Sequence, residues 1–291
     1  MISIIGLVVV FGAVVGGYLM EHGNLLLLSQ PAEFVIIGGA AIGTLLVAQP
    51  MKTIKLLIKQ LLSVPKGGGP GRQEYMDLLM MLYELMNLTR REGLLALESH
   101  VEKPENSEIF KRYPSFMKNH HAVDFLCDTL RLVLTDPEIQ AHDIEALMDQ
   151  DMETHHSEEI RPSQALQTVG DALPGLGIVA AVLGVVLTMQ AIGGPVEQIG
   201  EKVGAALVGT FLGILLSYGA AQPLAANIAA KVDAGGQYYT ALKQVLLAFR
   251  RGSSPAVAVE FARRSISNDV RPSFTELSEA VRGIKAGGKG K

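Results

Sequence analysis

The chain has 291 residues, of which 48% are hydrophobic and only 19% are charged. This composition excludes an ordinary soluble protein of that length and predicts several membrane spans. The net charge of −4 gives no reason to expect nucleic acid as a partner. The single cysteine, Cys127, excludes an intrachain disulfide.

Four apolar segments are long enough to cross a lipid bilayer, because an α-helix needs about 20 residues to do so. The first segment lacks the basic start and the cleavage site of a signal peptide, which is the alternative interpretation of an apolar N-terminus. In chain order, the sequence predicts transmembrane helix 1 at 1–20, a periplasmic loop at 21–31, transmembrane helix 2 at 32–50, a cytoplasmic helical domain at 51–170, transmembrane helix 3 at 171–192, a periplasmic loop at 193–202, transmembrane helix 4 at 203–223 and a cytoplasmic tail at 224–291.

The distribution of lysine and arginine predicts the orientation of these spans. Residues 51–170 carry thirteen of the 25 basic residues and the tail from residue 224 carries eleven, whereas the two short connections hold only Lys202. Basic residues are enriched in cytoplasmic loops. Both termini and the large loop are therefore predicted to be cytoplasmic.

The long loop and the tail have the pattern of amphipathic helices. The segment KGGGPGR at 66–72 predicts a hinge. After it, apolar residues recur at helical spacing, a stripe more typical of a core than of a recognition surface: Met76, Leu79, Met80, Tyr83 and Met86. Ser273 and Glu276 form a capping-box pattern. The predicted fold class is thus an all-α integral membrane protein, with four transmembrane helices and a helical cytoplasmic domain formed from the 2–3 loop and the C-terminal tail.

Small residues recur four positions apart in every span, a spacing that allows close helix packing in lipid. The pairs are Gly12/Gly16, Gly39/Gly43, Ala180/Gly184 and Gly209/Gly213. The alternative is that glycine is simply common in membrane helices. Four pairs in four spans favour a tightly packed bundle or oligomer.

Catalytic and metal-binding motifs are not found in the sequence. It has no GxxxxGK[ST], no nucleophile elbow and no HExxH. The paired histidines at 120–121 and 155–156 point in different directions on a helix, so they predict no metal site. We therefore predict that the protein is not an enzyme and needs no metal or cofactor.

The spans also lack an ionisable residue in their interiors, since Glu33 and Asp171 stand at span ends. Ion pathways usually contain an intramembrane carboxylate. Either this protein moves no ions, or a partner helix supplies the acid. The spans do contain the hydroxyl groups of Thr188, Thr210 and Ser217.

Two prolines lie at the predicted cytoplasmic ends of spans. Pro174 is expected in the first turn of the third transmembrane helix, where proline is tolerated. Pro223 is expected to kink the fourth as it leaves the bilayer. Two prolines at one depth suggest a hinge layer, and two ordinary helix boundaries are the alternative.

These segments resemble the MotA family of flagellar motor stators over nearly the whole chain. The matching stretches are QPAEFVIIGGAAIG, MDQDMETHHSE, GDALPGLGIVAAVLGVV, ALVGTFLGILLSYG and RPSFTELSEAV. The resemblance implies a homopentamer in the bacterial inner membrane around a MotB dimer, with each MotB helix supplying the missing intramembrane aspartate. It also implies that Pro174 and Pro223 couple proton flow to movement. By the same resemblance, Arg90 and Glu98 would contact the rotor protein FliG, and the adjacent Arg91 leaves a one-residue ambiguity in the assignment of Arg90.

The resemblance bears on the ion as well. In sodium-driven relatives a threonine stands seven residues after the third-span proline, and here that position is Ala181. The hydroxyl of Thr210 alone supplies too few oxygen ligands for sodium, so a proton is predicted as the driving ion. Two alternatives stay open at this point: an ExbB/TolQ-like proton-driven energiser, and a passive membrane scaffold.

Overall fold

A computed structural model describes residues 2–190, 193 and 195–287 of the chain. Within these ranges every regular element is helical. The end of the predicted third span at residue 192 and the last four residues of the tail lie outside the described ranges. The described helices confirm the all-α fold class.

Thirteen α-helices make up most of the described chain. In order they are α1 Ile2–Met20, α2 Leu25–Leu28, α3 Pro31–Ala48, α4 Met51–Ser63, α5 Arg72–Glu92, α6 Glu98–Glu102, α7 Pro114–Met117, α8 His120–Thr135, α9 Ala141–Met189, α10 Val196–Leu216, α11 Gln222–Arg250, α12 Pro255–Ser265 and α13 Phe274–Gly287. Short 3₁₀ turns lie at Val64–Lys66, Leu94–Leu97, Pro104–Asn106 and Phe110–Arg112, and a π-helical segment lies at Ser217–Ala221.

The chain divides into two compact units. The membrane unit comprises the chain up to Gly68 together with Glu159–Lys231, and the peripheral unit comprises Gly69–Glu158 together with the chain from Val232. The chain first passes from the membrane unit to the peripheral unit between Gly68 and Gly69, inside the glycine-rich segment predicted as a hinge. α9 and α11 each contribute residues to both units.

Four helical stretches are long and apolar enough to cross a membrane, as the sequence predicts. They are Ile2–Met20, Leu25–Ala48, Ala141–Met189 and Gln198–Arg250. The membrane unit has only a small core, in which Ile37, Ala41, Leu173, Ala180 and Leu212 are buried. α1 buries no residue at all. The aliphatic outer faces of these helices would be a liability in water, and lipid or further subunits can cover them.

The peripheral unit holds the larger core. Leu79, Tyr83 and Met86 of α5 are buried in it, and Met76 and Met80 pack against its edge. The methionine stripe is therefore part of a core, as predicted.

The predicted capping box at the start of α13 is also present. Glu276 N–H donates to Ser273 Oγ at 3.2 Å, and Ser273 N–H donates to Glu276 Oε2 at 2.7 Å. These reciprocal bonds satisfy two backbone N–H groups that a helix start leaves unpaired.

The position of Pro174 in its helix differs from the prediction. Pro174 is not in a first turn, because α9 is one helix of 49 residues that contains Pro174 in its interior. The sequence suggested a new helix at the membrane entry, whereas the acidic helix and the apolar span are continuous. Pro223 lies near the start of α11, directly after the π-helical segment. The irregular backbone that accommodates Pro223 thus lies in the residues before the proline.

Candidate functional site

The centre of the membrane unit is a close contact between α9 and α10. A Cβ atom at Gly177 would lie 2.7 Å from the Gly209 carbonyl oxygen, and one at Gly213 would lie 2.5 Å from the Leu173 carbonyl oxygen. At Gly184 a Cβ would lie 2.7 Å from that of Ala206. The small-residue spacing therefore corresponds to backbone-to-backbone packing in these two helices.

The other two small-residue pairs do not behave in this way. A Cβ atom added at any of their glycines would meet nothing within 4 Å in this chain. These glycines are Gly12, Gly16, Gly39 and Gly43. The prediction of close packing thus holds for α9 and α10, and the pairs in α1 and α3 have no close neighbour among the described residues.

Ala181 and Thr210, the predicted ion-path residues, lie at this contact. The backbone nitrogen of Ala181 is 3.2 Å from the Cβ position of Gly209, and the Cα of Thr210 is 3.3 Å from that of Gly177. Both residues are half-buried. The structure therefore places both residues at the α9–α10 contact, one on each helix, although they are far apart in the sequence.

Pro174 creates a gap in the hydrogen bonding of α9 that Ser217 fills. Proline has no N–H, so Pro174 donates nothing to the carbonyl oxygen of Gly170 four residues earlier. The hydroxyl of Ser217, which is fully buried, donates to that oxygen at 2.6 Å. A polar group of the fourth span therefore replaces the bond that the proline of the third span removes.

Pro223 makes the corresponding change in its own helix. A proline also clashes with the carbonyl four residues earlier, here that of Gly219. The backbone widens into a π-turn, in which the N–H of Gln222 donates to the carbonyl of Ser217. π-turns of this kind often mark functional positions in helices.

Side chains complete the link between the two helices. Gln222 Nε2 donates to Asp171 Oδ1 at 3.0 Å and to Ser217 Oγ at 3.3 Å. Gln167 Nε2 also donates to Asp171 Oδ1, at 2.9 Å. We call the residues of this connected set the proline layer: Gly170, Asp171, Pro174, Ser217, Gln222 and Pro223.

Sequence reasoning found the two prolines of this layer and missed the groups that join them. The available signal is general: a proline inside a helix leaves one carbonyl in need of a donor. The sequence does not show that Ser217 is this donor or that Gln222 bonds to Asp171, because both bonds depend on how α9 and the π-turn align.

Glu33 is a second residue whose surroundings the sequence did not reveal, although it lies in the first turn of α3 as its place at a span end implies. It was expected at the end of a span, but its side chain is only 7% exposed. A Cβ atom at Gly209 would lie 2.6 Å from Glu33 Oε2. This oxygen is buried without a hydrogen-bond partner among the described residues. The membrane unit therefore contains a buried carboxyl group beside the Ala181–Thr210 contact.

The predicted rotor-contact charges lie at the junction of α5 and α6. Arg90 and Arg91 stand in the last turn of α5, and Glu98 stands in the first turn of α6. Basic residues at the end of a helix and acidic residues at its start interact favourably with the helix dipole, so these charges also have a purely structural explanation. Arg90 and Glu98 are exposed, and among the described residues neither forms an ion pair, whereas Arg91 reaches Glu92 at 3.9 Å.

Polar side chains of α5 and α6 also bond to the segment that follows α6. Glu84 accepts a hydrogen bond from Tyr113 Oη at 2.8 Å and pairs with Arg112. Burial and then the bond to Glu84 raise the pKa of Tyr113. His100 Nδ1 lies 2.7 Å from Ser107 Oγ, and burial, assisted by Arg112, lowers the pKa of His100. These bonds connect α5 and α6, the helices that carry Arg90 and Glu98, with residues 107–113.

One histidine of each adjacent pair, His121 and His155, lies in an aromatic cluster. The rings of His121 and His155 are 3.6 Å apart between centroids, and His155 meets Tyr239 edge-on at 5.0 Å. Burial, and then the neighbouring His121, lower the pKa of His155 to about 4. In the described part of the chain no group of three or more His, Cys, Asp or Glu side chains is placed to hold a metal ion.

Comparison with known families places these features in context. Residues 4–93 match the family model described as "Motility protein A N-terminal". Residues 117–240 match the model described as "MotA/TolQ/ExbB proton channel family". Together the two matches cover the helices that form the membrane unit and much of the peripheral unit.

Individual relatives give the same picture. Motility protein A of Escherichia coli K12 is 43% identical over 285 residues, which is 98% of this chain and 96% of that protein. The structure of C. jejuni MotAB is similar in fold, with a TM-score of 0.75 and 23% identity over 93% of this chain and 98% of that chain. The flagellar MotAB stator complex from Bacillus subtilis matches with a TM-score of 0.68 and 25% identity, over 88% and 92% of the two chains.

Proposed function

The chain belongs to the motility protein A family, and from that premise we propose that it is the subunit of a flagellar stator that forms a proton channel with MotB. The resemblance seen in the sequence is confirmed. The observation that carries the function is the α9–α10 contact, where Ala181 and Thr210 lie beside the proline layer. A partner helix that carries an acid can pack against this surface.

In this proposal the subunit is a multi-pass protein of the inner membrane with both termini in the cytoplasm. The lysine and arginine distribution supports that orientation. Five copies would surround a MotB dimer, as the family resemblance implies. The aliphatic faces of α1, α3 and α9, which have no cover within the chain, are available for lipid and for neighbouring copies.

The coupling step follows from the charge on the aspartate of MotB. An ionised carboxylate is costly to bury next to apolar helices, and a protonated one much less so. Each protonation would therefore change how closely the MotB helix packs against Ala181 and Thr210. Because α9 and α10 touch through glycines there, a small shift of one backbone moves the other.

The proline layer is where this shift would become a conformational change. Proline and π-turn positions have fewer backbone hydrogen bonds to break than a regular helix. Ser217 bonds to the carbonyl freed by Pro174 and is itself part of the π-turn before Pro223. A movement at either proline would thus require a rearrangement at the other.

The driving ion gives the first test. Cells that depend on this subunit and its MotB partner should swim at undiminished speed in sodium-free medium and stop when a protonophore collapses the proton gradient. The reason is that Ala181 offers a methyl group where a sodium site needs an oxygen ligand. Swimming speed, recorded before and after each change of medium, measures the effect.

Two results would contradict a proton-driven stator. One is a speed that follows external sodium, and the other is rotation that survives the protonophore. A matched strain whose MotB has asparagine in place of the intramembrane aspartate supplies the zero-flux reference. The Ala181→Thr variant should remain proton-driven, because a single added hydroxyl does not complete a sodium site.

Contact with the rotor protein FliG gives a second, smaller effect. We expect Arg90→Glu and Glu98→Lys each to slow rotation while membrane insertion stays normal. Exposed charge pairs contribute about 1 kcal/mol at 4 Å in water, so neutral replacements should be mild and reversals stronger. Rotation speed of tethered cells is the measurement.

Glu105→Lys is the matched control, since Glu105 is also an exposed acid of the peripheral unit. It should leave the speed unchanged. Arg91→Glu tests whether the adjacent arginine shares the role of Arg90. If the double reversal of Arg90 and Glu98 rotates at the unmodified speed, these residues do not contact the rotor.

A further inference from the structure

Glu33 is a buried acid in the membrane unit that the coupling described above does not use. It lies in the first turn of α3, two residues after Pro31. Its side chain is 7% exposed, and the buried oxygen Oε2 lies against the backbone of Gly209, next to Thr210. A buried carboxyl oxygen without a hydrogen-bond partner among the described residues is energetically costly at such a place, and membrane proteins keep such groups mainly where function uses them.

A purely structural role as a helix cap does not account for this side chain. An acid in the first turn is favourable when it bonds to a free backbone N–H or stays exposed near the positive end of the helix. Here the first turn shows no side-chain cap bond. The oxygen Oε2 instead turns away from its own helix end toward α10.

Other charges do not explain it either. Among the described residues Glu33 forms no ion pair. On the helices packed against α3, Glu201 and Lys202 of α10 are exposed, and Asp171 of α9 is bonded within the proline layer. Lys52, the first basic residue after α3 in the sequence, lies in α4, which follows the end of α3 opposite to Glu33. The oxygen Oε2 thus faces the α9–α10 contact at Gly209, and no counter-ion pairs with Glu33 among the described residues.

We propose that Glu33 is a proton-relay residue of the stator channel, an inference that rests on the function proposed above. Its carboxylate binds a proton that arrives from the side of the 21–31 connection and becomes neutral. It then releases the same proton toward the Ala181–Thr210 contact, where the aspartate of MotB accepts it. Only an O–H bond forms and breaks in each step, so charge and atoms balance.

The relay is tested on the full chain in complex with MotB, by purifying the complex, reconstituting it in lipid vesicles and recording proton uptake with an internal pH dye. The variants are Glu33→Gln, which keeps the shape but cannot exchange a carboxyl proton, Glu33→Met, which removes the polar group, and Glu33→Asp. Glu21→Gln is the matched control, because Glu21 is an exposed acid of the same connection.

Proton flux should fall at least about tenfold in Glu33→Gln and in Glu33→Met, because removing a positioned proton-transfer group has effects of that order or more. Glu33→Asp should keep about half of the flux and shift its dependence on external pH, and Glu21→Gln should match the unmodified complex. The pH profile matters because a residue that only packs would not move it.

The outcomes separate the relay from the channel itself. If the unmodified complex carries no flux, the proposed function fails whatever Glu33 does. If it carries flux and Glu33→Gln equals it, the relay is wrong and the channel stands. Glu33→Met carries the test should Glu33→Gln not assemble, because apolar replacement of a buried unpaired polar group is often tolerated. Loss of assembly in both variants would make Glu33 structural and overturn the relay as well.

Discussion

Replacing Pro174 by alanine is expected to leave the stator assembled in the membrane and to stop flagellar rotation. Alanine supplies the N–H that proline lacks, and this N–H can donate to the carbonyl of Gly170. That carbonyl now accepts from Ser217 at 2.6 Å. The restored helical bond would compete with the Ser217 bond and make α9 regular, at the point where the proline layer joins it to the π-turn.

Pro223→Ala is expected to have the same result, here through a change in the π-turn instead of α9. With an N–H at position 223, the backbone can return to the α-helical pattern and the π-turn at Ser217–Ala221 is no longer required. Ser217→Ala tests the link directly, because it leaves the Gly170 carbonyl without its donor at a cost of about 1–3 kcal/mol. We expect it to reduce swimming strongly and to be milder than either proline replacement.

The measurements are rotation of tethered cells and the amount of complex in the membrane fraction. Pro162→Ala is the matched control, since Pro162 also lies inside α9 but outside the proline layer. It should keep rotation. If Pro174→Ala or Pro223→Ala removed the complex from the membrane, the prolines would be needed for folding only. If either rotated at full speed, the proline layer would have no part in coupling.

The sequence predicts this protein's elements well and its connections less well. Length and apolarity are enough for the four spans, and helical spacing is enough for the buried face of α5, because both depend on local chain geometry. The prediction that Pro174 lies in the first turn of a helix was wrong, because it too rested on a local signal. Pro174 is an ordinary helix-start signal, and only packing in the folded chain shows that α9 continues through it.

The site shows a similar division. The prolines and Ala181 were predicted from their positions in a family pattern, and Thr210 was predicted as a hydroxyl group of the fourth span. Ser217 and Glu33 were not, because their roles depend on neighbours that are distant in sequence. An acid at a span end is usually solvated, and its burial follows only from the approach of α10.

Gly213→Ala is expected to be the most damaging small substitution in the membrane unit. The added Cβ would lie 2.5 Å from the Leu173 carbonyl oxygen and 2.9 Å from the Gly177 Cα, and both are backbone atoms that cannot turn aside. α9 and α10 would have to separate. Overpacking of this kind costs about 1–3 kcal/mol, and in lipid no hydrophobic driving force between helices compensates for lost packing.

We therefore expect Gly213→Ala to lower the amount of complex in the membrane several-fold and to abolish swimming. Gly204→Ala is the control on the same helix, because a Cβ at Gly204 meets nothing within 4 Å. Both substitutions raise helix propensity equally, by about 1 kcal/mol, so any difference between them comes from contact with α9. Membrane abundance and swimming that stay normal in Gly213→Ala would mean that α9 and α10 do not meet through Gly213. The close approach beside Ala181, Thr210 and Glu33 would then have to be abandoned as the basis of the channel.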